Sequence, residues 1–111
     1  MAILPLFPEL ELLEARIDAG QIVMTLKNAG AFTICTHTYG QPEYRLIVKL
    51  FDGDAVVQDR WLGLPRDLAP GQTATLVFPR HARGTTLRLY HALQDVPMLE
   101  PEPFAEMRDV R

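Results

Sequence analysis

Tyr44-Arg45-Leu46-Ile47-Val48-Lys49-Leu50-Phe51, then Asp52-Gly53-Asp54, then Ala55-Val56-Val57-Gln58-Asp59-Arg60-Trp61, is the stretch on which the fold turns. The first run is apolar on both alternating phases except at Arg45 and Lys49, the composition of a strand covered on both faces. Asp-Gly between two β-rich runs is a strong hairpin signal, because the tight turn needs a positive φ that these residues tolerate. The second run ends on Trp61 and reads as the outer partner of the hairpin, which places the tryptophan on an edge.

Working outward, the flanking segments repeat the same grammar. Ile22, Met24 and Leu26 alternate with Val23, Thr25 and Lys27, the period of a half-buried strand, and Asn28-Ala29-Gly30 ends it. After Trp61, Leu64-Pro65-Arg66-Asp67-Leu68-Ala69-Pro70-Gly71 is a loop by its prolines and glycine, and it is expected to cross between sheets. Ala74, Leu76 and Phe78 then alternate with Thr73, Thr75 and Val77, and Arg80-His81-Ala82-Arg83-Gly84 turns the chain again. The last long strand sets Leu87, Leu89, His91 and Leu93 against Thr86, Arg88 and Tyr90, and Asp95-Val96-Pro97 closes it. Residues 9–17 alternate but slip phase between Leu12 and Leu13. A β-bulge explains the slip, and so does a short helix with Leu10, Leu13 and Ile17 on one face; the surrounding β pattern favours the strand.

Short strands separated by turn residues predict an all-β fold, an immunoglobulin-like antiparallel β-sandwich of about seven strands. With 111 residues the chain has room for one domain, and 48% hydrophobic residues supply its core. That domain is expected over residues 1–97. Residues 98–111, with Glu100, Pro101, Glu102, Pro103 and Glu106, read as an acidic, proline-rich tail that is extended or disordered, with Phe104 and Met107 as possible anchors.

Charge and cysteine content narrow the function. The formal net charge is −3, and Arg16, Arg45, Arg60, Arg66, Arg80, Arg83 and Arg88 are scattered rather than clustered, so nucleic acid is not an expected partner. Cys35 is the single cysteine, which removes any intrachain disulfide. The start of the chain lacks a basic n-region and is broken by Pro5 and Pro8, so it does not read as a signal peptide, and no apolar run is long enough to span a bilayer. A cytoplasmic protein is the expectation.

From Ile22 to Leu93 the pattern resembles bacterial immunoglobulin-like modules of the cell-adhesion-related type, and the accessory β-sandwiches of bacterial glycosyltransferases and polysaccharide exporters. The resemblance is carried by the Asn28-Ala29-Gly30 strand end, by the Asp52-Gly53 turn, and by Leu68-Ala69-Pro70-Gly71-Gln72 followed by Leu76 and Phe78. The chain departs from it at Thr86, where such modules carry tyrosine, and in the longer stretch between Gly30 and Glu43. The resemblance implies a non-catalytic module that binds a partner or glycan, or that supports a catalytic domain.

Chemistry-bearing residues are few. If extended, Phe32-Thr33-Ile34-Cys35-Thr36-His37-Thr38-Tyr39 puts Cys35, His37 and Tyr39 on one face. Cys35 and His37 are candidate ligands for a soft metal, with Met24, His81 or His91 completing a site, but blue-copper sites gather their ligands in one late loop. A buried free cysteine acting as a small hydrophobe is the simpler reading. A Cys35/His37 nucleophile lacks an orienting group and oxyanion donors. Asp52 and Asp54 are turn formers, Asp59 and Asp67 solvated charges, and His91 a partly buried histidine in phase with leucines.

Trp61 is the main binding candidate, with Arg60 beside it and Tyr39 and Tyr44 near; the alternative is that it plugs one end of the core. The expected protein is therefore not an enzyme and needs no cofactor. It is a binding or accessory module that makes a protein contact or self-associates through an edge strand. A carbohydrate platform at Trp61 is second, and a metal module at Cys35 and His37 third.

Overall fold

A computed structural model describes residues 8–35, 44–80, 83–93 and 102–111, with the backbone alone described at Tyr44, Ala92 and Leu93. The described residues form β1 (Leu10–Asp18), β2 (Gln21–Asn28), β3 (Tyr44–Asp52), β4 (Ala55–Leu62), β5 (Thr73–Pro79), β6 (Thr86–Leu93) and β7 (Ala105–Met107). They make two antiparallel sheets, one of order β1-β2-β5 and one of order β4-β3-β6-β7. The all-β sandwich architecture read from the sequence is the observed one.

Alternation decides what each sheet buries. Ile22, Met24 and Leu26 on β2, with Ala74, Leu76 and Phe78 on β5, face Leu46, Val48 and Leu50 on β3 and Leu87 and Leu89 on β6 across one core. The β3–β4 hairpin closes with Asp52 opposite Ala55, and Gly53 at φ +61 is the first of its two turn residues, the place a type II′ turn reserves for glycine. Ala69-Pro70-Gly71-Gln72 is a type II turn, with Pro70 second, Gly71 at φ +82 third, and a 3.0 Å bond from Gln72 N to Ala69 O. The segment that carries this turn takes the chain from one sheet to the other, as expected of its prolines.

β1 is a strand, and its register shifts between Leu12 and Glu14, so Leu13 is the extra residue of a β-bulge at the phase slip visible in the sequence. Its hairpin to β2 turns on Ala19 and Gly20, both at positive φ (50 and 77).

Asn28 organises the loops at one end. Its side-chain amide, 1% exposed, donates to the carbonyls of Phe32 and Leu68 at 2.8 Å each, while its Oδ1 accepts from Gly30 N at 3.0 Å. A buried amide with these groups satisfied fixes geometry, since removing it strands two carbonyls and an N–H. The paired main-chain bonds of Ile34 and Leu68, at 2.8 and 2.9 Å, continue that tie.

The described part of the acidic C-terminal segment is structure: of the two states expected of it, extended or disordered, it takes the extended one, with Phe104 and Met107 packed against the core. Phe104 N bonds Leu89 O and Val110 N bonds Thr85 O, both at 2.9 Å, β7 pairs with β6, and Val110 enters the core at 3% exposure. Composition hid this because the strand is three residues long and its support comes from residues far away in sequence.

Candidate binding surface on the four-stranded sheet

The outward side of β4-β3-β6-β7 is organised in rows of cross-strand neighbours, the units through which a sheet face acts. One row is Trp61–Ile47–Tyr90, the next Asp59–Lys49–Arg88–Glu106, and the third Val56–Phe51–Thr86. Ile47 and Tyr90, 1% and 8% exposed, form an apolar cluster separate from the main core. Cations cap the rings on this face. Lys49 Nζ lies 5.3 Å from the centre of the Tyr90 ring, and the Arg88 guanidinium 4.4 Å from that of Phe51.

Arg88 also donates to Glu106 at 2.9 Å, and the second Glu106 oxygen accepts from Arg108 at 2.8 Å. The Arg108 guanidinium first, then that of Arg88, holds the Glu106 carboxyl below the usual carboxylate range. Both pairs are open to solvent, and only the Arg88–Glu106 pair ties β7 to β6, adding little to the main-chain pairing of the two strands.

Trp61 is 56% exposed, so it does not plug the core. It stands on β4, an edge strand, opposite Ile47. Val56 and Val57 on the same strand are 49% and 37% exposed. The register shift between Leu50 and Phe51 marks a second bulge here, leaving Val57 between the partners of those two residues.

The arginine that shares a face with Trp61 is not the one adjacent in sequence. Arg60 lies opposite Val48, on the side of β4 turned toward the core, and is partly buried. Arg45, two residues before Ile47 on the outward face, instead lays its guanidinium against Gly63. A Cβ built on that glycine would come within 3.2 Å of Arg45 Nη1. The alternation of β3 carried this signal, because Arg45 and Ile47 share a phase.

The other candidates fall as follows. The backbone of Tyr44 begins β3 opposite Leu93; Tyr39 and His37 lie outside the described residues. Cys35 is exposed rather than buried, because Ile34 takes the inward position in its bridge to Leu68 and the alternation turns the next residue out. Asp52 and Asp54 flank the turn glycine, and Asp59 sits opposite Lys49. His91 is 4% exposed, stacked on Phe104 with ring centres 4.0 Å apart and planes 7° apart; burial lowers its pKa to about 4. Among the described residues no group of three or more His, Cys, Asp or Glu is placed to hold a metal, and no helix is long and apolar enough to cross a membrane.

Compared with known proteins, the chain matches no family model, no curated protein and no solved structure.

Proposed function

We propose that this chain is a non-enzymatic binding module of immunoglobulin-like type whose contact surface is β4 and the outward face beside it, and that the contact is with protein. The observation that carries the reading is Trp61, half-exposed on an edge strand that also exposes Val56 and Val57. An exposed tryptophan beside an arginine, here Arg45, is the composition of an interface hot spot. The edge of β4, which pairs with no further strand among the described residues, adds main-chain donors and acceptors to it.

The strand order supports the immunoglobulin-like assignment. β1-β2-β5 corresponds to strands A-B-E, and β4-β3-β6-β7 to C′-C-F-G, of the two sheets in that architecture. Resemblance to the bacterial adhesion-related and accessory sandwiches belongs to the same reading.

Carbohydrate stacking on Trp61 is the second reading, and it rests on the same exposed indole. The neighbouring rings favour protein instead: Tyr90 and Phe51 are 8% and 7% exposed and lie beneath Lys49 and Arg88, so Trp61 is the one open ring in these three rows. Parallel affinity capture and glycan-array screening with the wild-type chain and Trp61→Ser separates the two. The expected result is a protein partner whose affinity falls by roughly 30-fold or more in the variant, the loss of a hot spot of about 2 kcal/mol. Glycan hits that vanish with Trp61→Ser would move the assignment to the second reading. Capture that is indifferent to Trp61 would refute both.

A further inference from the structure

The segment that closes the sandwich beside β1 is fastened at few points. Its strand, β7, pairs with β6 over three residues. Around that pairing, three main-chain bonds of 2.8–2.9 Å hold it: Phe104 N to Leu89 O, Val110 N to Thr85 O and Ile17 N to Arg111 O. Val110 in the core seats one end, and Phe104, flat against the His91 ring, seats the other. An edge segment with so few ties is where a fold opens locally before it unfolds as a whole.

One of the two seats can take up a proton. His91 is 4% exposed, with the Phe104 ring 4.0 Å away and nearly parallel to its own. Leu46, opposite it on β3, and Leu89 on β6 stand beside it on the inward side of the sheet. Arg45 and Lys49 on β3, Arg88 on β6 and Glu106 on β7 occupy the outward face. Glu102 and the β1 carboxylates Glu11 and Glu14 are exposed, and Arg60, inward on β4, is two strands away in the row of Val48 and Leu89. An imidazolium formed at His91 would therefore sit among leucines and under a phenyl ring, where water cannot reach it until Phe104 lifts.

We propose that residues 104–111 are an acid-released strap: they leave β6 and β1 as one unit while the rest of the sandwich stays folded, and His91 takes the proton that favours release. Closed, the buried ring stays neutral down to about pH 4; open to water, it titrates near 6.5. Only the open form takes up the proton between these values, so the closed form loses ground as pH falls. The ratio of open to closed strap should rise about 20-fold from pH 7 to pH 5 and by at most about 300-fold in stronger acid. Glu106 acts in the same direction only at lower pH, because Arg108 and Arg88 keep it ionised in the closed form. Release uncovers Leu87 and Leu89, both fully buried, and that exposure keeps the strap closed at pH 7.

Amide exchange on the full chain tests this, read as protection so that the intrinsic pH dependence of exchange drops out. Ile17, Phe104 and Val110 report the strap, and the amides joining β2 to β5 report the whole fold. At pH 7 the strap amides are expected to be at least about tenfold less protected than the β2–β5 amides, and to lose about 20-fold in protection on going to pH 5. His91→Phe should reduce that loss to less than about threefold. Phe104→Leu leaves the titrating ring in place, and it should lower strap protection several-fold at pH 7 while keeping a fall toward pH 5. Strap amides as protected as those between β2 and β5 would overturn the proposal, since the segment would then open only with the whole fold. So would a pH response unchanged in His91→Phe, or strap protection unmoved by Phe104→Leu.

Discussion

On one long side of the sandwich β1 faces β7, and on the other β5 faces β4. The first side is closed by main chain: Ile17 N bonds Arg111 O, Val110 fills the core beside it, and Phe104 stacks on the buried His91. The second is closed by a side chain, through Gln58 Nε2 donating to Pro79 O at 2.7 Å. A main-chain closure uses up the edge it crosses, whereas a side-chain closure holds the sheets together and leaves the strand's own edge open. The contact strand therefore lies on the side with the lighter fastening.

The largest expected break is on the sealed side and comes with acid. His91 has its pKa depressed from 6.5 to about 4 in the folded chain by burial, so the unfolded chain takes up its proton first as pH falls. Its contribution is intact at pH 7 and is lost progressively between pH 6.5 and about 4, where the loss reaches about 3 kcal/mol. His91→Phe keeps an aromatic ring against Phe104. Urea unfolding across that window should show the pH slope reduced in the variant; equal slopes would mean that His91 does not set the acid limit.

Next comes Gly84→Ala, beneath the bulge on the open side. The added Cβ would lie 2.7 Å from Leu50 Cγ, 2.8 Å from Phe51 O and 2.9 Å from Val57 Cγ2, and the main-chain oxygen cannot retreat without disturbing β3. A loss of about 2 kcal/mol in urea denaturation is expected. A variant as stable as wild type would show that the bulge yields.

The smallest effect tests the comparison itself. Gln58→Leu removes the bond to Pro79 O and should cost about 1 kcal/mol. Amide exchange should quicken along Ala55–Leu62 and leave Leu10–Asp18 unchanged. Uniform quickening of both strands would mean that the two sides are not separately fastened.

Much of this architecture is legible in the sequence, and the residues show why. Alternation along β2, β5 and β6 and the Asp52-Gly53 turn are local signals, and so is the phase slip that becomes the Leu13 bulge. The β1–β2 turn is not legible in the sequence because Ala19 is a poor advertisement for a left-handed residue; its φ of +50 is imposed by the two-residue loop between paired strands. β7 was illegible because a three-residue strand in an acidic, proline-rich segment is held by Leu89, Thr85 and Ile17, none near it in the chain. At the candidate surface, the prominence of Trp61 was readable, but proximity in sequence suggested Arg60. Strand alternation put that residue on the opposite side and left Arg45 on the tryptophan's face.

Asn28 has a consequence for how this chain can vary. Because one amide holds the carbonyls of both Phe32 and Leu68, the segments 29–35 and 63–72 are held as a unit. A graft that replaces either alone must reproduce its carbonyl in place, whereas exchanging both together with Asn28 keeps the knot. The exposed Phe32 and Cys35 ride on that unit, so their display is controlled from a loop more than thirty positions away, as the 40-residue separation of Asn28 and Leu68 records.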